Sequence, residues 1–217
     1  MQIRSAISPA IGMALWAALS PASAQIFDNL ADPINSLQQA ENGSGGSVGN
    51  RFVTGPTTTQ LTSVSLDMRH VSENGGNFTV SLWSDAGGGH APGALLGVLF
   101  GNPDPITDGV FTYTPTNEIL LAPSESYWVV AGVSSGPAVF VWNETTSSAF
   151  TGTGTGGGRL RGDYQNPALF VAPEFPSSSG TLMFQVDATP VPEPRDVAAM
   201  TAAGLLAVAL LRRRFGT

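Results

Sequence analysis

Several groups of residues in this chain have types and spacings that could do chemistry. Gly45-Gly46-Ser47-Val48-Gly49 fits G-x-S-x-G, the sharp turn that exposes a nucleophilic serine at the top of a hydrolase sheet. That turn needs a buried strand before the serine and a helix after it. SLQQAENGS precedes it and NRFVTG follows, which supply neither, so the segment is expected to be a flexible glycine loop. The run GTGTGG, Gly152 to Gly157, fits G-x-G-x-x-G. No strand–helix–strand unit surrounds it and no helix N-terminus follows to receive a phosphate, so it also reads as a loop. Arg161-Gly162-Asp163 spells the integrin tripeptide, three residues that recur often by chance.

His70 and His90 are the only histidines, lie in or beside turns, and cannot hold a metal without help. Asp85, Asp104 and Asp108 lie in turn-rich segments and are the candidate Ca²⁺ ligands, since hard cations prefer oxygen. Aspartate also favours turns for its own backbone hydrogen bonding, and no EF-hand spacing is present. A paired-carboxylate glycosidase needs only two acids at the right separation, but the acids here are scattered singly. No cofactor is implied. Trp83 is the candidate sugar contact: it falls opposite Phe78, Val80 and Leu82, beside a glycine-rich loop. An exposed indole there could stack on a sugar ring, or cover neighbouring side chains. Trp128 lies in a doubly apolar run and is expected to be buried, whereas Trp142 fits either core or edge.

The elements that would position these residues are strands. SVSLDMRH, FTVSLW and LMFQVDA alternate apolar and polar residues with period two, giving one face for a core and one for water. YWVVAGV (127–133) is apolar on both faces and reads as a central strand, and AVFVWNE is similar up to Asn143. ENGG, DAGGGHAPG, GNPDPITDG and APSES separate these runs as turns. A first strand is expected at Ile26–Leu30, and Asp32–Asn42 could hold a turn or two of helix. About ten short strands over some 160 residues predict an all-β fold, a two-sheet antiparallel β-sandwich of jelly-roll type.

Composition then restricts the compartment. Arg4, the apolar run Ile7 to Leu19 and Ala22-Ser23-Ala24 form a secretory signal peptide over residues 1–24, cleaved after Ala24 to leave Gln25 first. The chain has no cysteine, which excludes disulfides, thiolate metal sites and cysteine nucleophiles. Between Gln25 and Pro194 four arginines stand against 15 carboxylates, a net charge of −11 without any lysine. A surface so acidic repels phosphate backbones, so nucleic acid is no partner.

The last 28 residues differ from the rest. After the domain expected over residues 25–189, ATPVPEP is a proline-rich spacer, then Val197 to Leu211 carries no charge, then Arg212-Arg213-Arg214 follows. Fifteen helical residues reach about 22 Å, short of the ~30 Å hydrocarbon core, so a transmembrane helix at 197–211 would span only with snorkelling arginines and local thinning. The arginine cluster sets the C-terminus in the cytoplasm and the domain outside, the topology that the signal peptide also gives.

Pro192-Glu193-Pro194, a short apolar helix and a terminal arginine cluster together resemble a PEP-CTERM sorting signal, with Arg195-Asp196 where small or hydroxyl residues are more usual. The resemblance implies recognition by an exosortase, a membrane cysteine protease-transpeptidase of bacteria that make extracellular polysaccharide, and removal or exchange of the tail. IFDNL, NRFVTG, LTSVSLDM, FTVSLWSDAGG and APGALLG resemble the choice-of-anchor R domain over about Ile26 to Ala188, a likeness that brings no known catalytic activity. The expected function is a non-enzymatic exported surface or matrix protein. The alternatives are a carbohydrate-binding module for extracellular polysaccharide and, further off, a secreted hydrolase.

Overall fold

A computed structural model of the 217-residue chain describes residues 23–41, 47–70, 78–87, 91–133, 139–147, 149–162, 181–192 and 194–215. The strands, in chain order, are β1 (Ala24–Asp28), β2 (Ser36–Glu41), β3 (Ser47–Val53), β4 (Thr59–His70), β5 (Phe78–Asp85), β6 (Pro92–Phe100) and β7 (Gly109–Pro115). They continue with β8 (Leu120–Leu121), β9 (Ser126–Val133), β10 (Val139–Thr145), β11 (Thr155–Gly162), β12 (Thr181–Leu182) and β13 (Phe184–Pro190). One helix, α1 (Pro194–Phe215), follows.

The fold is all-β, and every strand pairing is antiparallel. The hydrogen-bonded path runs β1-β13-β4-β7-β6-β5-β9-β3-β11, with β8 and β10 also on β4, and β2 and β12 on β10. The two ends of this path nearly meet. Asp28 of β1 bonds Thr151 in both directions, at 2.9 and 2.8 Å, and the Gly154 N–H donates to the Ile26 carbonyl at 2.8 Å. The sheet therefore closes on itself but for this narrow seam, which leaves few backbone groups unpaired.

Alternation places the core as expected. Val64, Leu66 and Met68 of β4, Phe78, Val80 and Leu82 of β5, and Phe184 and Val186 of β13 all point inward and are buried. Phe184 is a hub: its ring lies 4.5 Å from that of Phe27, 6.0 Å from Trp142 and 6.4 Å from Phe52, centroid to centroid. Aromatic pairs at such spacings add to what area burial alone supplies. A bulge between Asp187 and Ala188 lets both Leu61 and Val64 of β4 face inward despite their odd spacing. YWVVAGV is a central strand, β9, held between β5 and β3.

Two expectations are corrected. Among the described residues of the 32–42 stretch, 32–41, there is no helical turn. The Asp32 N–H donates to the Asn29 carbonyl in a turn, Asn35 donates to Glu144, and β2 then runs along β10 from Ser36 to Glu41. Pairing to a distant strand outweighs local preference here. The glycine run at 152–157 is only half a loop, because β11 begins at Thr155 and pairs with β3. Its glycines serve the seam. A Cβ at Gly154 would strike the Val53 carbonyl and one at Gly156 the Phe27 ring, while Gly152 takes a φ of +123° against Ile26.

Gly154→Ala should thus destabilise the domain by about 3 kcal/mol, because main chain would have to move. Gly87→Ala, with φ +99° but nothing within 4 Å of a new Cβ, should cost only about 1 kcal/mol. Denaturant melts of the two variants check this; equal losses would contradict the seam account.

Candidate functional site

The junction between sheet and tail is set by β13, which lies between β1 and β4 and so is bonded on both edges. Its pairing with β4 continues to Pro190 opposite Thr59, and the Val191 N–H donates to the Thr58 carbonyl at 3.0 Å. Pro192 is exposed, and Glu193 lies outside the described residues. Pro194 opens α1, where its missing N–H costs nothing.

The helix is longer than the apolar stretch expected at 197–211, because Arg195, Asp196 and Arg212 to Arg214 are helical too. Its 22 residues make about 33 Å. Among the described residues no helix is long and apolar enough to cross a membrane. The apolar side chains are nonetheless bare: Leu205 is 68% exposed, Leu206 62%, Val208 51% and Leu210 58%. Arg213 is exposed, and the side chains of Arg212 and Arg214 lie outside the described set. At the other terminus Ala22 lies outside the described residues, while Ala24 opens β1 opposite Ala188. Gln25 is well held. Its side chain donates to Asp28 Oδ2 at 2.9 Å and accepts from Thr151 Oγ1 at 3.1 Å.

Trp83 does face away from Phe78, Val80 and Leu82, but it offers no open platform. It is only 7% exposed, in a small outer cluster with Trp128, Val130 and Ala91. Its indole N–H donates to Ser81 Oγ at 2.9 Å, and Trp128, opposite it in register, donates to Asp85 Oδ1 at 2.8 Å. Of the two roles open to Trp83, covering its neighbours is the one this packing supports. Trp128 is buried as expected, and Trp142 belongs to the core.

The candidate calcium ligands are not brought together. Asp85 is engaged by Trp128 and by the Gly87 N–H, which donates to Oδ2 at 3.0 Å. Asp104 caps its own turn, accepting the Ile106 N–H on its carbonyl, and its Oδ1 is buried without a partner. Asp108 lies near Asp67 of β4. Among the described residues no three acidic, histidine or cysteine side chains converge. Asp67 was not singled out in the sequence, where it is merely the polar member of an alternating strand. Burial pushes its pKa up, a hydrogen bond from Asn143 pulls it down, and the Asp108 charge pushes it up again.

The other motifs dissolve into strands. Ser47 opens β3 rather than sitting in a glycine loop, because its backbone pairs with Gly132 and Gly162. It is fully buried and its Oγ has no hydrogen-bond partner. Gly45 and Gly46 lie outside the described residues. His70 ends β4 opposite Phe140, and His90 lies outside the described residues. Arg161 and Gly162 end β11 opposite Val48 and Ser47, and Asp163 lies outside the described residues. Glu144, sequence-adjacent to the apolar run of β10, is buried and accepts from Ser36 Oγ at 2.7 Å, a structural role that alternation alone does not announce.

No family profile matches the chain, and no curated protein matches it.

A carboxyl whose folded pKa is raised favours the fold below its unfolded pKa and loses that contribution as pH rises through the folded value. Asp67→Asn should therefore raise the melting temperature at pH 7, with the gain disappearing below the ordinary aspartate value of 3.8. Melts across that pH range check it; a variant that is less stable at pH 7 would contradict the assignment.

Proposed function

We propose that this protein is a non-enzymatic component of the cell surface or extracellular matrix. Residues 1–24 export it, and its working part folds outside the cytoplasm. The C-terminal helix holds the precursor at the membrane until an exosortase acts at Pro192-Glu193-Pro194. The working part is a two-layer sandwich in this reading. The half of the sheet holding β4, β10 and β13 faces the half holding β3, β5 and β9, and both contribute to one core.

One observation carries the reading: the last bond from the sheet to the chain is at Val191, and beyond it Pro192 and the helix side chains Leu205, Leu206, Val208 and Leu210 are exposed. An exposed proline follows at once, then a helix whose Leu205, Leu206 and Leu210 no part of the domain covers. Apolar side chains exposed in such a row need a partner, and lipid is the partner that a charge-free stretch ending in arginines suits. The charge-free stretch reaches about 22 Å, so the flanking arginines snorkel and the bilayer thins around it. Removing the tail would cost the core nothing, which is what a removable sorting signal requires.

The signal peptide adds an order of events. The bond after Ala24 lies inside β1, opposite Ala188. A protease needs an unpaired extended chain, so cleavage there precedes docking of β1 on β13.

Glu193→Ala should leave the tail attached, and the protein should then accumulate at precursor mass in the membrane fraction. Immunoblotting of fractionated cells that carry an exosortase checks this. A variant processed like the parent would sink the exosortase reading.

A further inference from the structure

The strands that carry the two ends of the domain share one end of the sheet. Ala24 opens β1 opposite Ala188, and Pro190 closes β13 opposite Thr59. Both the segment preceding β1 and the tail therefore leave the domain at the same side. Three loops lie on that side, 54–58, 122–125 and 152–155, next to the 116–119 segment and the end of β5. They are bound tightly to one another. Thr54 Oγ1 donates to the Ala122 carbonyl at 2.6 Å and accepts the Glu125 N–H at 3.0 Å, and the Ser124 N–H donates to the Gly55 carbonyl at 2.8 Å. Ala122 in turn donates its N–H to Tyr127 Oη at 2.8 Å. Thr153 packs against Gly55.

The reach of the chain then limits where this side can be. Only Val191, Pro192 and Glu193 lie between the end of β13 and the first residue of α1. Three extended residues cover about 10 Å. Val191 is moreover already fixed to Thr58. We infer that loops 54–58, 122–125 and 152–155 form the membrane-apposed face of the precursor, resting on the lipid headgroups. The inference depends on the reading of α1 as membrane-inserted and adds to it an orientation for the domain.

Glu125 is the one charged residue within the three loops, and Glu118 and Asp85 stand beside them at the same end, where Leu120 pairs with Gln60 and Asp85 with Pro92. Asp104 and Asp108 lie in the loop between β6 and β7, at the opposite end, where Gly109 pairs with Met68 far along β4. Anionic headgroups repel carboxylates, so the reach of the linker, rather than charge, sets which end faces them. The length of β4, 12 residues, or about 36 Å, separates the two ends.

The absence of cysteine makes a direct test available. Single substitutions Thr57→Cys, Ala122→Cys and Thr107→Cys, all at exposed positions, are placed in the full chain. Each is treated with a polyethylene glycol maleimide, as precursor in membranes of the producing cells and as the processed protein from the same cells. In the precursor, Thr57→Cys and Ala122→Cys should lose their labelling over the time in which Thr107→Cys reacts fully. All three should react alike after processing, which also shows that the variants fold and that their thiols are open. Equal labelling of a precursor that sediments with membranes would overturn the orientation and leave the tail reading standing. A precursor that does not sediment with membranes would overturn both.

Discussion

The structure depends on closing a long antiparallel sheet on itself. An open sheet of this length would expose two edges of unpaired N–H and C=O groups, a template for pairing with other chains. Here β1 and the approach to β11 come together, and three alternate glycines at 152, 154 and 156 make room for them. Side chains at those places would meet main chain or the Phe27 ring. The same closure brings Phe27 onto Phe184, so the seam and the aromatic centre of the core are one arrangement. With no disulfide possible, this packing has to hold the domain together by itself.

The closure also determines what the tail can be. β13 is held on one edge by β1 and on the other by β4, and its hydrogen bonds extend to Val191. A cut upstream of that point would remove a central strand. Among the described residues the last backbone bond between sheet and tail is that of Val191, one residue before the exposed Pro192. The short linker that follows keeps the domain near whatever holds α1.

Alternation in β4, β5 and β13 made the inward face legible from the sequence, and the doubly apolar YWVVAGV gave away the central strand. What alternation could not convey was what covers the other face. Trp83 is on the outer face, as its position implies, yet Trp128 and Val130 surround it there, so an outward tryptophan is a packed one. The run at 152–157 was misleading for a related reason. Its glycines answer to β1, more than a hundred residues away, and no local pattern records that demand. β2 was missed because Glu144 and its neighbours on β10, not its own residues, make it a strand. In the tail the proline, apolar run and arginines are local features, and the helix they belong to extends past the charge-free stretch at both ends, over Pro194–Phe215. Ser47, His70 and the scattered aspartates drew attention by residue type, but the fold sends them to separate strands and turns.

The most direct test of the account is the intact mass of the protein recovered from the surface and medium of the producing cells. The account predicts a chain that begins at Gln25 and ends within Pro192-Glu193-Pro194, carrying at most a group attached at its new C-terminus. Recovery of the protein from the cytoplasm as the unshortened 217-residue chain would contradict it.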